Sequence, residues 1–185
     1  MSISFYIISG VVGVALLVLA GIYNSLVRRR NRVDEGWSDI EVQLKRRYDL
    51  IPNILETVKG YTAHERTVLE NVTQARTQAL GAKTMQDHAR AENALASTLK
   101  TLFAVAENYP DLKANANFLD LQRELADTEN KIQAARRFYN GTILDYHNAI
   151  DMFPSNLVAR LFGFTKREFF DLETEEERLP PKIQF

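Results

Sequence analysis

Cysteine is absent from the 185 residues, which removes disulfides, thiolate nucleophiles and lipid attachment through cysteine from consideration, and fits a reducing compartment. Proline and glycine are sparse, five and eight residues, so long stretches run without a backbone break and helices are favoured over sheets. Net charge is −1, too little for an electrostatic footprint on nucleic acid. The most informative absence is local. No charged residue occurs before Arg28, and no Lys or Arg precedes the span that this creates.

That uncharged run, from Ile3 to Tyr23, consists almost entirely of apolar residues, Gly, Ala and Ser. At about 1.5 Å of rise per residue it is long enough to cross the roughly 30 Å hydrocarbon core of a bilayer. A cleaved secretory signal is the competing reading, with Val18-Leu19-Ala20 as a cleavage-site mimic. The missing basic n-region, the length of the run and the Arg cluster behind it favour an uncleaved anchor. Arg28, Arg29, Arg30 and Arg32 close the run. Basic residues stay on the cytoplasmic side, so the expected topology is a single-pass protein of the bacterial inner membrane, N-terminus outside and C-terminal domain in the cytoplasm. Each of these arginines contributes on the order of 1 kcal/mol against anionic head groups, which makes membrane lipid the first expected partner. Ser9 and Gly13, spaced for close helix approach, permit contact between anchors without establishing it.

The remaining residues are patterned as helices. Val33, Trp37, Ile40, Leu44, Tyr48, Ile51, Leu55 and Val58 recur at steps of three and four, one face of a helix that continues from the anchor to about Lys59. Pro52 lies inside this pattern and is expected to kink the helix while keeping its apolar phase. It leaves the Tyr48 carbonyl without an intrahelical donor, and the amide of Asn53 is the expected substitute. Gly60 reads as a C-terminal cap, and Thr62 with Glu65 as a capping box opening a second helix to about Leu80. A third helix runs from Thr84 to about Asn108 with Leu95, Leu99, Leu102 and Ala106 inward, and Pro110 stops it. The fourth has the clearest period, from Phe118 through Leu121, Leu125, Thr128, Ile132, Ala135, Tyr139, Thr142, Tyr146 and Ala149 to Phe153. Its two threonines are expected to bond to their own helix carbonyls or to meet a facing polar group.

The fold class that follows is all-α: one transmembrane helix continuing into an antiparallel four-helix bundle with long first and last helices, then an aromatic and acidic tail. The expected divisions are 1–27 for the anchor, 28–153 for a cytoplasmic bundle, and 154–185 for a tail packing on the bundle or on a neighbouring subunit. Phe162, Phe164, Phe169 and Phe170 are the candidate inter-subunit residues, since five aromatics between Phe153 and Phe170 exceed what a disordered tail carries.

A longer pattern identifies relatives. Trp37, then Val42-Gln43-Leu44-Lys45-Arg46-Arg47-Tyr48-Asp49-Leu50-Ile51-Pro52-Asn53, then Val58-Lys59-Gly60-Tyr61 resembles the signature of the LemA family. Phe118-Leu119-Asp120-Leu121-Gln122, Thr128-Glu129-Asn130-Lys131-Ile132 and Phe162-Gly163-Phe164 extend the resemblance over nearly the whole chain. The resemblance implies a bacterial single-span membrane protein with a cytoplasmic antiparallel helical bundle, and brings no catalytic residues with it. Trp37, Arg46, Asp49, Pro52 and Asn53 are the signature-helix candidates. The charged residues Lys45, Arg46, Arg47 and Asp49 read either as an inter-subunit ion-pair network or, preferably, as a solvated face with ordinary pairs.

Chemistry is not evident. The residues three before His64, His88 and His147 are Tyr61, Met85 and Leu144, so the Glu-x-x-His pairs of a di-metal bundle are missing. No phosphate-binding glycine loop occurs. The expectation is therefore no catalytic site, metal or cofactor, and a non-enzymatic, membrane-anchored scaffold that self-associates as a homo-oligomer and organises or shapes the bacterial membrane. The alternative is an adaptor for another membrane protein, such as a quality-control protease or an envelope-stress component.

Overall fold

The structure, a computed structural model, describes residues 3–62 and 65–170. All regular structure among them is helical: α1 (Ile3–Lys59), α2 (Arg66–Gly81), α3 (Met85–Ala106), α4 (Pro110–Lys113), α5 (Ala116–Asp151) and α6 (Ser155–Leu161). The chain divides into two compact units, Met1–Ile40 with Ala135–Phe169, and Glu41–Ala134 with Phe170. α1 and α5 each contribute to both units.

In the first unit α1 and α5 run antiparallel. Trp37 meets Tyr139 with ring centroids 5.7 Å apart, Arg29 donates to the Asp145 carbonyl at 3.4 Å, and Leu26 packs with Ala149 and Ile150. Gly36 permits the close approach: a Cβ there would stand 3.3 Å from the Tyr139 Cα and 3.4 Å from the Phe138 ring. Residues 24–32 are continuous helix between the apolar run and the rest of α1, with Leu26 buried on one face and residues 28–32 exposed.

After α5 the chain turns into α6, whose Val158 and Ala159 close on Leu26. Gly163, at φ +70°, supplies the left-handed residue that ends α6, and the Phe164 amide reaches back to the Ala159 carbonyl at 2.9 Å. Residues 164–169 then lie extended along the same unit. Tyr139 donates to the Glu168 carbonyl at 3.1 Å, the Arg167 amide donates to His147 Nε2 at 3.1 Å, and Lys166 pairs with Asp151 at 2.7 Å. Ser155 does not cap α6; its hydroxyl donates to the Met152 carbonyl.

The second unit joins the C-terminal part of α1, α2, α3, α4 and the first half of α5. Its core includes Leu44, Ile51, Ile54 and Val58 of α1, Val72, Ala75 and Ala79 of α2, Leu95, Leu99 and Leu102 of α3, and Leu121, Leu125 and Ile132 of α5. Thr84 caps α3 by accepting from the Asp87 amide at 3.1 Å, and Asn115 caps α5 by accepting from the Phe118 amide at 3.0 Å. Thr128 and Thr142 bond back to the carbonyls of Glu124 and Tyr139.

Several local expectations are corrected. Gly60 is not a left-handed cap; among the described residues only Gly163 has a positive φ. The end of α1 is closed instead by the Tyr61 and Thr62 amides, both donating to the Val58 carbonyl. The capping box does not form, since the Thr62 hydroxyl also turns back to that carbonyl and α2 starts at Arg66 with no side-chain cap. Ala63 and His64 lie outside the described residues, as does the acidic stretch from Asp171 onward. Pro110 ends α3 but also opens α4 as its first residue, a role that suits its fixed φ. Phe153 is 80 % exposed rather than the last apolar position of α5, and Ile143, outside the heptad pattern, is fully buried.

Candidate functional site, a buried ion pair beside a proline break

Arg47 is the residue whose placement departs most from its expected solvated face. It is 3 % exposed, and its Nη1 lies 3.2 Å from Glu92 Oε2 and 3.2 Å from Glu129 Oε2. Glu92, on α3, is 1 % exposed. Its other oxygen accepts the Tyr48 hydroxyl. Tyr48, Arg47 and Glu92 thus form a polar chain within the second unit. A cleft of about 330 Å³, lined in part by Leu99, Phe103, Leu125 and Glu129, opens beside Arg47. Arg47 Nε is buried and makes no hydrogen bond with the protein.

Burial pushes the Glu92 carboxyl above its ordinary value of 4.5; the Tyr48 hydrogen bond and the Arg47 charge pull in the opposite direction without overcoming it. Burial, and then the bond to Glu92, also raise the Tyr48 hydroxyl. The consequence for stability has a definite sign. Below 4.5 the carboxyl is neutral in both folded and unfolded chains. As pH rises through the raised folded value, the unfolded chain ionises first and folding loses stability. Glu92→Gln, which cannot ionise, should therefore gain on the native chain as pH rises from about 4 to 8. Thermal unfolding of the two proteins across that range measures the gap; a gap independent of pH contradicts the assignment.

Pro52 lies one turn after Tyr48. Having no amide hydrogen, it cannot donate to the Tyr48 carbonyl as an ordinary helical residue does. The donor comes from α2: Arg76 Nε reaches that carbonyl at 2.7 Å. Asn53, the expected substitute, is exposed, and its backbone carbonyl accepts the Thr57 hydroxyl. Tyr48 therefore joins two arginines through its two ends, with its hydroxyl on the Arg47–Glu92 pair and its carbonyl on Arg76.

The other sequence candidates fall elsewhere. Arg46 pairs with Glu124 at 2.9 Å and approaches Asp127 at 4.0 Å, rather than with Asp49, which is exposed. Trp37 packs on Tyr139 in the first unit. Of the basic cluster, Arg28 is exposed, Arg29 holds the Asp145 carbonyl, and Arg30 and Arg32 each lie 5.6 Å from an aromatic ring, Phe164 and Phe138. Of the four candidate inter-subunit aromatics, Phe170 is fully covered within the chain and Phe164 packs on the Leu26 cluster. Phe162 and Phe169 keep about half of their surface exposed.

Glu92, Arg76 and the burial of Arg47 were missed from sequence. Glu92 did leave a signal: it occupies the position three before Leu95 on the inward face of α3, where an acid needs a partner. Arg76 left none, because its role depends on where α2 places it. Among the described residues no cluster of three or more His, Asp or Glu is arranged to hold a metal.

Among the described residues the regular structure is all helical, one helix is long and apolar enough to span a bilayer, and buried polar groups tie helices together, which defines a helical, membrane-associated protein. The sequence model of the LemA family matches residues 36–185, and the chain belongs to that family. Protein LemA of Metamycoplasma hominis is 28% identical over 95% of this chain and 84% of its own length. Magnetosome protein MamQ 2 of Paramagnetospirillum magneticum is 23% identical over 89% of this chain and 69% of its own length. Magnetosome protein MamQ of Magnetospirillum gryphiswaldense is 22% identical over 80% of this chain and 64% of its own length.

Proposed function

We propose that the chain is a non-enzymatic, membrane-anchored helical scaffold that self-associates and thereby organises or shapes the bacterial membrane. One observation carries the reading. Residues 24–32 are continuous helix, held on one face by Leu26 buried against α6 and by Arg29 bonded to α5, so the anchor continues into the rest of α1 without a break in the helix. Contacts between the soluble parts of neighbouring copies then fix the spacing of their anchors, and an array of fixed anchors imposes its geometry on the bilayer. The buried Arg47–Glu92 pair supports a structural use of charge, since its groups are engaged with one another. Two of the chain's relatives are named as magnetosome proteins.

Size is the decisive measurement. Full-length protein extracted in mild detergent should sediment as a multimer at micromolar concentration. A monomer there, or a one-to-one complex with a different membrane protein after cross-linking in cells, refutes self-association; the second result establishes the adaptor reading in its place.

A further inference from the structure

The corner between α5 and α6 leaves its large apolar side chains uncovered. Phe153 is 80 % exposed, Leu161 74 %, Met152 64 % and Leu157 58 %. Phe162 is also more than half exposed, although it meets Tyr23 at 4.8 Å between ring centroids. Five such residues within the eleven from Met152 to Phe162, along the turn and α6, are the kind of exposed apolar cluster that marks an interaction surface.

Its place in the fold identifies the occupant. Val158 and Ala159 of α6 close on Leu26, with Ile22 packed against the same cluster. Ile22, Tyr23 and Leu26 are the last turn of the uncharged run, immediately before Arg28. Because α5 runs antiparallel to α1, Met152 and Phe153, in the turn after α5, follow Ile150, which packs against the Leu26 cluster. The exposed patch is thus level with the end of the apolar helix and continuous with its surface. Its charge agrees. From Met152 to Phe164 the one charged residue is Arg160, which is exposed, and the neighbouring acid, Asp151, is paired with Lys166. Arg28, Arg29 and Arg30 stand at the same end.

We infer that the α5–α6 corner is a second membrane contact: Met152, Phe153, Leu157, Leu161 and Phe162 enter the boundary between head groups and acyl chains of the leaflet where α1 emerges, with Arg160 reaching back to lipid phosphate. Short apolar faces bind this zone at depths of about 5–10 Å, and aromatic residues with long cationic side chains favour it. The inference rests on α1 crossing the bilayer, but not on self-association. Each copy then holds the membrane at two points side by side, so its cross-section at one leaflet is larger than that of a lone helix.

The absence of native cysteine makes the test direct. Single variants Leu157→Cys, Leu161→Cys, Leu17→Cys and Glu35→Cys of the full chain are labelled with a nitrobenzoxadiazole fluorophore and reconstituted into phosphatidylcholine–phosphatidylglycerol vesicles. Labels at 157 and 161 should resist aqueous iodide and be quenched by doxyl-labelled lipid, as the label at 17 is, whereas the label at 35 should be quenched by iodide. Iodide quenching at 157 and 161 with the label at 17 still shielded overturns the inference and leaves the anchor intact. Shielding from both quenchers at 157 and 161 also overturns it, since a second protein surface then covers the corner. Iodide quenching at 17 overturns the span and the corner together.

Discussion

Replacing Arg47 with alanine is expected to destabilise the fold by about 3–5 kcal/mol, the usual cost of removing one partner from a buried ion pair. Glu92 would keep the Tyr48 hydroxyl but lose the guanidinium within its buried surroundings, which favours uptake of a proton by its carboxyl. The pH dependence should steepen accordingly. Arg46→Ala, which removes an ion pair whose members are both substantially exposed, serves as the comparison and should cost no more than about 1 kcal/mol. Denaturant unfolding of the detergent-solubilised proteins, followed by far-ultraviolet circular dichroism, gives both numbers. Equal losses would show that Arg47 is solvated after all. The combined replacement Arg47→Met, Tyr48→Phe and Glu92→Leu should restore most of the stability, because apolar groups of similar volume avoid the desolvation cost that the charges carry. Arg47 Nε, buried without a hydrogen bond, makes that recovery easier.

The second large effect belongs to Arg76. Its guanidinium is a charged donor to a carbonyl that Pro52 cannot serve, and Arg76→Met should cost about 1.5–3 kcal/mol. The diagnostic quantity is the coupling to Pro52. Pro52→Ala returns an amide hydrogen opposite the Tyr48 carbonyl, so Arg76→Met made in that background should cost distinctly less, with a coupling of about 1 kcal/mol or more in the double-mutant cycle. Identical costs in both backgrounds would mean that Arg76 acts through packing alone.

Much of the fold was legible because apolar spacing registers burial directly. The steps of three and four from Val33 to Val58 located the C-terminal part of α1, and the heptads from Phe118 located α5. The anchor was legible for a simpler reason, since length and lack of charge suffice. What failed was chemistry decided by partners distant in sequence. Arg47 sits between Arg46 and Tyr48, and nothing local distinguishes it from its exposed neighbour; the distinction is made by Glu92, 45 residues away. Asn53 was a reasonable substitute donor by proximity, but Arg76 reaches the same carbonyl from another helix. The caps divided in the same manner. Thr84 was readable as the start of the third helix, whereas Thr62 had a competing acceptor in the preceding turn of α1. Phe153 followed the heptad rhythm past the point where α5 ends at Asp151, so periodicity placed it inward although the chain has already left the helix there.

The guanidinium of Arg76 doing the work of a missing backbone amide constrains insertions and deletions unevenly. One extra residue within α2 ahead of position 76 would rotate that side chain by about 100° around the helix axis and turn it away from the Tyr48 carbonyl. An extra residue in the connector between Gly60 and Glu65 leaves the rotational setting of α2 free to readjust and adds little closure entropy. Length variation among related chains should therefore collect in the connector, while the interval from the start of α2 to its arginine stays constant wherever the proline of α1 is kept.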